Sequence, residues 1–444
     1  MVSRPQPPAR KARKHFSADA LYALIRNGFE RIPDSRNAAS TIPLTDALMS
    51  AFAMFCLKDP SLLAFDERRS DGNLKALFGI GQIPSDTRMR EILDPLDPGH
   101  LRPSFGKVLG QLQRGKALER FQFYAGGYLL SLDGTGYFSS QKVHCDSCEV
   151  KEHHSGVVTY EHQMLAAAIV HPDLKEVIPL APEPIQKQDG STKNDCERNA
   201  ARRLLQKIRR QHPRLKLIAI EDGLSSNGPH VRDLMDCGMH FILGAKPGDH
   251  PFLFQQVEAA RREGRSPKLR RQQGDVTCEV SWVWSVPLNE SNQDLRVDFL
   301  EYNEYDRQGN RGKHFTWITD LSINRRNAWW FVKGGRARWR IENETFNTLK
   351  NQGYHYEHNY GHGQQNLSVV FAMLMMLAFL VDQTQQLCCP LFRAVWNKLG
   401  SKRALWDNLR SHFRHFLFRS LRQLYEAILY DLAKEVPLPA LDSS

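Results

Sequence analysis

Two runs of apolar residues, each followed by an aspartate and then a glycine, stand out in the pattern of this chain. The run at 128–132 leads into Asp133, and the run at 217–221 leads into Asp222. A continuous apolar run of this length predicts a buried strand, and the glycine after the aspartate predicts a turn. Because binding sites in open α/β sheets lie at strand ends, both aspartates are candidate site residues. Taken alone, each is also typical of an ordinary turn.

The pattern up to residue 250 predicts an α/β fold with a mixed sheet. The elements after the first strand are a hairpin formed by 160–171 and 176–180, a basic helix at 193–211, a strand at 217–221, a helix near 229–235 and a strand at 240–245. Apolar positions at three-to-four spacing indicate a helical N-terminal domain at 16–118. A cap signal at Ser85 leads there into a basic helix, which either enters a DNA groove or packs against the core or a second subunit.

The pattern changes at 251–324. Strands are predicted by alternation of apolar and polar residues at 276–286 and 295–299, and by a further run at 315–319. We interpret this segment as a β-rich insertion that projects from the core. The stretch at 257–271, which contains Arg270 and Arg271, is predicted to be an exposed basic loop.

A third candidate carboxylate, Glu342, lies in a segment that is predicted to be helical. On an α-helical projection it falls in the middle of the apolar face, beside Trp339. Glu344 falls on the solvent side, near Arg340. A carboxylate on an apolar face is costly unless a cation compensates its charge, and carboxylate oxygens favour hard ions such as Mg²⁺.

The three motifs LDGTGYF, AIEDG and RWRIENETFNTLK, in this order, resemble those of the Asp-Asp-Glu transposases of bacterial insertion sequences. The resemblance is to the cut-and-paste group whose third carboxylate lies in a W-x-I-E helix, and it covers residues 120–380. It implies a ribonuclease H-like core that binds two Mg²⁺ ions, with Mn²⁺ as a substitute. Asp133 would bridge the ions, and Asp222 and Glu342 would each hold one.

The same resemblance implies cleavage of DNA at the terminal repeats of an element, followed by strand transfer to target DNA. Two ends must be held together, so a homo-oligomer is expected, as a dimer on paired ends. The group also carries a Tyr-x2-Arg-x3-Glu-x6-Lys signature, which this chain matches in part. Arg338 and Glu342 have the required spacing, whereas Gly335 occupies the tyrosine position and the lysine is one residue late, at Lys350. Arg338 and Lys350 are therefore candidate DNA-binding residues.

The resulting domain organisation has six segments. They are a disordered basic arm at 1–15, the helical domain at 16–118, the first part of the core at 119–250, the insertion at 251–324, the second part of the core with the glutamate helix at 325–386, and a basic helical C-terminal region at 387–444.

Charge agrees with a nucleic-acid partner. The net charge is +11 and the isoelectric point is near 9.2, and such a surplus attracts polyanions, although some soluble proteins are merely basic. Lys246, Arg270 and Arg271 are further candidate contacts with phosphates, and Lys246 is equally typical of a solvated turn. No signal peptide is expected, and the apolar stretch at 367–381 is predicted to be a core helix and not a membrane span.

Two polar clusters have open interpretations. Cys145, Cys148, His153 and His154 can form a tetrahedral zinc site, or the histidines can contact phosphate. The stretch at 354–362, rich in tyrosine and histidine, either stacks on bases or forms a structural loop. The eight unevenly spaced cysteines do not indicate a disulfide framework, so a reducing bacterial cytoplasm, in association with the nucleoid, is the expected setting.

Two other functions are compatible with the same residues. One is a ribonuclease H-like nuclease or resolvase that cuts DNA without joining it. The other is a domesticated DNA-binding protein that no longer cuts and does not require the three carboxylates.

Overall fold

The computed structural model describes residues 14–37, 40–186 and 196–432. The predicted basic arm lies almost wholly outside the described residues, at 1–13. The chain divides into two compact units. Residues 119–348 form one of them, called here the sheet unit; residues 1–118 together with 349–444 form the other, called the helical unit. The predicted segment 325–386 is therefore divided between the two units.

The sheet unit contains one large mixed sheet. Among the described residues its strands are β1 (Tyr128–Ser140), β2 (Glu149–Glu152), β3 (Val158–Val170), β4 (Ile178–Pro179), β5 (Glu183–Ile185), β6 (Leu217–Glu221), β7 (His240–Gly244), β8 (Lys268–Gln273), β9 (Val276–Asn289), β10 (Asn292–Tyr305) and β11 (Arg311–Thr319). The strand order is β2-β3-β1-β6-β7-β11-β10-β9-β8, and β4 and β5 both pair with β3. Strands β1, β6 and β7 are parallel, and the other pairs are antiparallel. The predicted α/β class with a mixed sheet is confirmed.

Helices of this unit are α7 (Glu197–Gln211), α8 (Gly228–Asp236), α9 (Pro251–Arg262) and α10 (Ala328–Arg336), followed by a π-helical segment (Ile341–Phe346). This segment continues as α11 (Asn347–Asn351), within which the division between the two units falls. Helix α8 begins where the sequence predicts it. Asn227 caps it by accepting a 3.1 Å hydrogen bond from the backbone N–H of His230, and a proline occupies its first turn.

The strands of the insertion continue the core sheet, because β11 pairs with β7, with Ile318 opposite Leu243. The predicted basic loop at 257–271 is instead the end of α9 followed by β8. Strand β8 is an edge strand, and its side chains are largely exposed, so it lacks the buried alternation by which strands are recognised.

The helical unit is formed from both ends of the chain. Its helices are α1 (Ala18–Phe29), α2 (Leu44–Leu57), α3 (Leu62–Asp66), α4 (Gly72–Phe78), α5 (Asp86–Leu93), α6 (Arg102–Arg114), α12 (Leu367–Cys388), α13 (Pro390–Leu399), α14 (Lys402–His415) and α15 (Leu421–Tyr430). The predicted cap at Ser85 is confirmed, since its hydroxyl accepts from the backbone N–H of Arg88. Helix α12 is long and apolar enough to cross a membrane, but 94% of its most apolar stretch is buried inside the structure. It is a core helix, as predicted.

A buried polar cluster joins the two halves of the helical unit. The ammonium group of Lys58, at the end of α2, lies 2.7 Å from a carboxylate oxygen of Asp382 on α12. The Tyr354 hydroxyl donates to the same oxygen at 2.6 Å. The Tyr360 hydroxyl donates to the backbone carbonyl of Asp59 at 2.9 Å. These tyrosines of the 354–362 stretch therefore belong to the core and are not available for stacking on bases.

Candidate active site

Asp133 lies at the point on β1 where one neighbouring strand ends. Parallel pairing between β1 and β6 stops at Ser131, opposite Ile220. Antiparallel pairing with β3 continues, with Asp133 opposite Ala166. The predicted turn after Asp133 is therefore wrong, because β3 keeps the chain extended. On the side that β6 has left open, the carboxylate reaches a cleft.

Asp222 directly follows β6, as predicted, and its neighbours fix the turn that carries it. Its carboxylate accepts a hydrogen bond from the backbone N–H of Leu224 at 3.0 Å. The preceding residue, Glu221, is buried and accepts hydrogen bonds from the Ser225 hydroxyl at 2.7 Å and from His230 at 2.9 Å. Burial lowers the pKa of His230, but the Glu221 carboxylate outweighs it and raises the pKa overall. A charge-assisted pair thus stabilises the loop behind Asp222.

Glu342 lies on the π-helical segment, which differs from the predicted α-helix. A π-helix contains more residues per turn, so the α-helical projection does not describe the faces of this segment. The side chain of Glu342 is 48% exposed, and that of Trp339 is also partly exposed. The predicted position in the middle of a buried apolar face is therefore wrong. Glu344 does pair with Arg340, at 3.1 Å.

The guanidinium of Arg338 brings the first and third carboxylates together. One of its nitrogens lies 3.1 Å from a carboxylate oxygen of Glu342 and 3.6 Å from one of Asp133. The backbone carbonyl of Arg338 accepts a 3.0 Å hydrogen bond from the hydroxyl of Ser131. This bond ties the glutamate-bearing segment to β1, two residues before Asp133.

Asp222 lines two neighbouring clefts, one together with Asp133 and the other together with Arg338. It lines a cleft of about 370 Å³ with Asp133 and Glu197. It also lines an adjoining cleft of about 380 Å³ with Lys246 and Arg338. Asp133 on β1 and Asp222 after β6 thus line one region at the end of the central strands, next to Lys246 and Arg338. Glu342 adjoins this region through its ion pair with Arg338.

This region carries more negative charge than its cations neutralise. Burial raises the pKa of Asp133 to about 7, the charge of Glu342 adds to the rise, and the guanidinium of Arg338 opposes it. Partial desolvation also raises the pKa of Glu197, and the charges of Asp222 and Glu221 raise it further. A bound cation would favour the ionised carboxylates, and an all-oxygen donor set suits hard divalent ions. The residues present therefore fit the expected Mg²⁺ chemistry.

Glu197 is a site residue that the sequence analysis missed. It begins α7, and its carboxylate lies so close to Gly134 that a Cβ atom at that position would collide with it. An acidic residue in the first turn of a helix is common, so no sequence signal distinguishes Glu197 from an ordinary helix-start residue.

The other predicted DNA-binding residues are not among those that line these two clefts. Arg270 lies on β8 and pairs with Glu279 at 2.8 Å. Arg271 is its exposed neighbour on the same edge strand. Lys350 belongs to the helical unit, where it pairs with Glu357 at 2.7 Å.

The structure brings together only two of the four predicted zinc ligands. Cys145 and Cys148 are buried next to each other, but His153 and His154 are exposed, and His153 faces the Thr159 hydroxyl at 3.0 Å. His162 on β3, in contrast, does reach the two thiols. These three side chains form a buried group that can hold a metal ion.

Comparison with protein-family models and with curated proteins finds no match to this chain.

The raised pKa of Asp133 has a measurable effect on stability. Its pKa exceeds the value of about 3.9 that is usual in unfolded chains, so the native state holds the proton more tightly. The resulting stability is fully present below about pH 3.9 and is lost as the pH rises through about 7. We therefore expect Asp133→Asn to be more thermally stable than the wild type at pH 8 in metal-free buffer, and the difference to shrink by pH 5.

Scanning calorimetry of both proteins with EDTA, then with Mg²⁺, checks this expectation. Mg²⁺ should raise the melting temperature of the wild type at pH 8 and leave that of Asp133→Asn nearly unchanged. Asp275→Asn, an exposed aspartate in the same unit, is the matched control. If the melting temperatures of the wild type and Asp133→Asn depended on pH in the same way, the pKa of Asp133 would not be raised.

Proposed function

We propose that this protein is a DNA transposase of the Asp-Asp-Glu class, which cuts DNA at the ends of an element and joins the freed strands to target DNA. The observation that carries the proposal is the arrangement around Arg338, which contacts Asp133 and Glu342 and lines a cleft with Asp222. The three acidic residues come from sequence motifs far apart in the chain. Their order is that of the transposase resemblance.

The sheet supports a ribonuclease H-like core for this proposal. Strand β1 pairs with an antiparallel partner, β3, on one side and with the parallel strand β6 on the other, and β6 in turn pairs in parallel with β7. Such a sheet needs one hairpin and two crossovers, and α7 and α8 are in the right places in the sequence to provide the crossovers. Both aspartates then lie where the central strands part, as sites in α/β sheets do.

Asp133, Asp222 and Glu342 would hold two Mg²⁺ ions, which supply an activated water and neutralise charge on the phosphate. In the first step, the water oxygen bonds to phosphorus as the bond to the 3′ oxygen breaks. The products are a 3′-hydroxyl and a 5′-phosphate. In the second step, the 3′-hydroxyl oxygen attacks a phosphodiester of the target and releases a target 3′-oxygen. No external energy source is needed. The first step hydrolyses a phosphodiester bond, and the second forms one phosphodiester bond as it breaks another.

The cations at the site have separate roles in this proposal. Arg338 lies between Asp133 and Glu342, and its fork of donors suits a phosphate once metal ions take over the neutralisation of the carboxylates. Lys246 lines the same cleft and offers a point charge to the neighbouring phosphate. Arg338 would therefore position the scissile strand, whereas Lys246 would contribute to affinity without sequence preference.

Strand transfer is the property that tests the proposal. The purified chain is incubated with Mg²⁺, a labelled DNA fragment from either side of its gene and a supercoiled target plasmid. We expect labelled fragments joined to the plasmid, with the same fragments nicked at one position in the absence of target. Nicked but unjoined DNA would identify a nuclease or resolvase. Binding without any cutting would identify a domesticated DNA-binding protein.

Partners and location follow from the same proposal. The terminal repeats of the element and the target DNA are the expected ligands, and a dimer that holds paired ends is the expected active form. A protein of net charge +11 that acts on the bacterial chromosome would be found in the cytoplasm, in association with the nucleoid.

A further inference from the structure

A second group of potential metal ligands lies away from the carboxylates. The two sulfur atoms of Cys145 and Cys148 are 3.9 Å apart. A ring nitrogen of His162 lies 3.6 Å from the first sulfur and 3.5 Å from the second. All three side chains are buried, with exposures of 8%, 2% and 1%.

These three distances match the edges of a zinc tetrahedron. Zinc binds sulfur at about 2.3 Å and nitrogen at about 2.0–2.1 Å, so tetrahedral angles put two sulfurs about 3.8 Å apart and a sulfur and a nitrogen about 3.6 Å apart. An ion would fit between the atoms where they already stand. A disulfide would instead need the sulfurs to approach to about 2.05 Å.

Local structure holds the three ligands in this arrangement. Cys145 and Cys148 lie in a turn that is closed by a 3.1 Å backbone hydrogen bond from Cys148 to Cys145. The Ser140 hydroxyl, at the end of β1, accepts from the backbone N–H of Val143 at 2.9 Å and fixes the start of this loop. His162 comes from β3, opposite Phe138 across the β1–β3 pair. Loop and strand therefore meet at the metal ligands.

We propose that Cys145, Cys148 and His162 bind one structural zinc ion that fastens the 141–148 loop to β3. Thiolate and imidazole are the soft and borderline ligands that select zinc, whereas the carboxylate cleft selects hard ions. His162 lies four residues from Ala166, the partner of Asp133, which is about 13 Å along the strand. The zinc thus stiffens the far end of the strand pair that carries Asp133 and takes no part in the chemistry there.

The proposal corrects the ligands expected from sequence spacing and does not depend on the proposed function. A structural zinc ion takes four ligands, of which the trio supplies three. The fourth ligand, if it is an imidazole, can be identified by replacing the chain's other histidines one at a time. The absorption spectrum of each cobalt-substituted variant then shows whether the site is still complete.

Metal analysis of the full-length protein, purified under reducing conditions, is the test. We expect about one zinc per chain, and none in Cys145→Ser, Cys148→Ser or His162→Ala. The matched controls His153→Ala, His154→Ala and Cys196→Ser should keep the ion. Cobalt exchanged into the site should show thiolate-to-cobalt charge-transfer bands that are absent in His162→Ala. Asp133→Asn should keep the zinc, which separates this site from the carboxylates.

A wild-type measurement keeps the test decisive if the cysteine variants do not fold. Removal of the metal by a chelator should lower the melting temperature, and zinc but not Mg²⁺ should restore it. Wild-type protein that binds neither zinc nor cobalt would overturn the proposal. So would a Cys145–Cys148 disulfide in the reduced preparation, or loss of zinc in His153→Ala but not in His162→Ala.

Discussion

We expect that replacing Asp133 by alanine abolishes the proposed DNA cleavage and leaves DNA binding almost unchanged. The carboxylate lies at the point where β6 leaves β1, 3.6 Å from the guanidinium that also contacts Glu342. Without it the two proposed Mg²⁺ ions would lose one of the three carboxylates expected to hold them. Metal-ion catalysis contributes several kcal/mol to such reactions, and each 1.36 kcal/mol is a factor of ten, so cleavage should fall at least about a thousandfold. Binding depends mainly on lysine and arginine contacts with phosphates and should persist.

A nicking assay and a gel shift on the same labelled DNA measure the two properties. Asp222→Ala should behave like Asp133→Ala, because Asp222 lines the same cleft. Asp275→Ala is the control for loss of a surface carboxylate in the same unit. Cleavage within tenfold of the wild-type rate in either site variant would exclude the two-ion mechanism.

The second large effect separates two glutamates that lie two residues apart. Each forms an ion pair with an arginine four residues earlier, at 3.1 Å: Glu342 with Arg338 and Glu344 with Arg340. Only Arg338 lines the cleft next to Asp222. Arg340 instead donates a 2.8 Å hydrogen bond to the backbone carbonyl of Pro172. The two pairs are matched in geometry but differ in location.

We therefore expect Glu342→Gln to lose cleavage in Mg²⁺ by about a thousandfold or more. Glu344→Gln should cut DNA within about threefold of the wild-type rate, since a partly exposed ion pair contributes about 0–1 kcal/mol. Melting temperatures of both variants report on folding, and rates with Mn²⁺ report on the metal dependence. If Glu344→Gln were the inactive variant and Glu342→Gln the active one, Glu344 would be the third ligand and the role given to Arg338 would be wrong.

Sequence pattern located Asp222 correctly because everything that defines its position is local. A continuous apolar run makes β6 a buried strand, and the following glycine allows the turn. At Asp133 the same reasoning predicted a turn, but the chain stays extended because β3, more than twenty residues later, pairs with it. Pairing of this kind depends on partners that a local pattern does not contain.

Two other misses have equally definite causes. The helical projection that placed Glu342 on an apolar face assumed 3.6 residues per turn. The segment is instead π-helical, and no simple sequence pattern identifies a π-helix. The zinc proposal from spacing chose the histidines nearest to Cys148, but the antiparallel strand brings in His162. The available signal was the place of His162, two residues before the apolar run at 164–170 of the same strand, because a buried imidazole requires a partner.

The division of the chain has a consequence for its synthesis on the ribosome. Residues 119–348 are contiguous, so the sheet unit can fold as soon as they emerge. Helix α2, with nearly every residue buried in the finished protein, emerges long before α12. Lys58 must wait for Asp382, 324 residues later, which at about 5–20 residues per second takes roughly 15–65 s. During that interval the apolar surface of α2 needs protection from aggregation, and chaperones that hold nascent chains are the natural source of it.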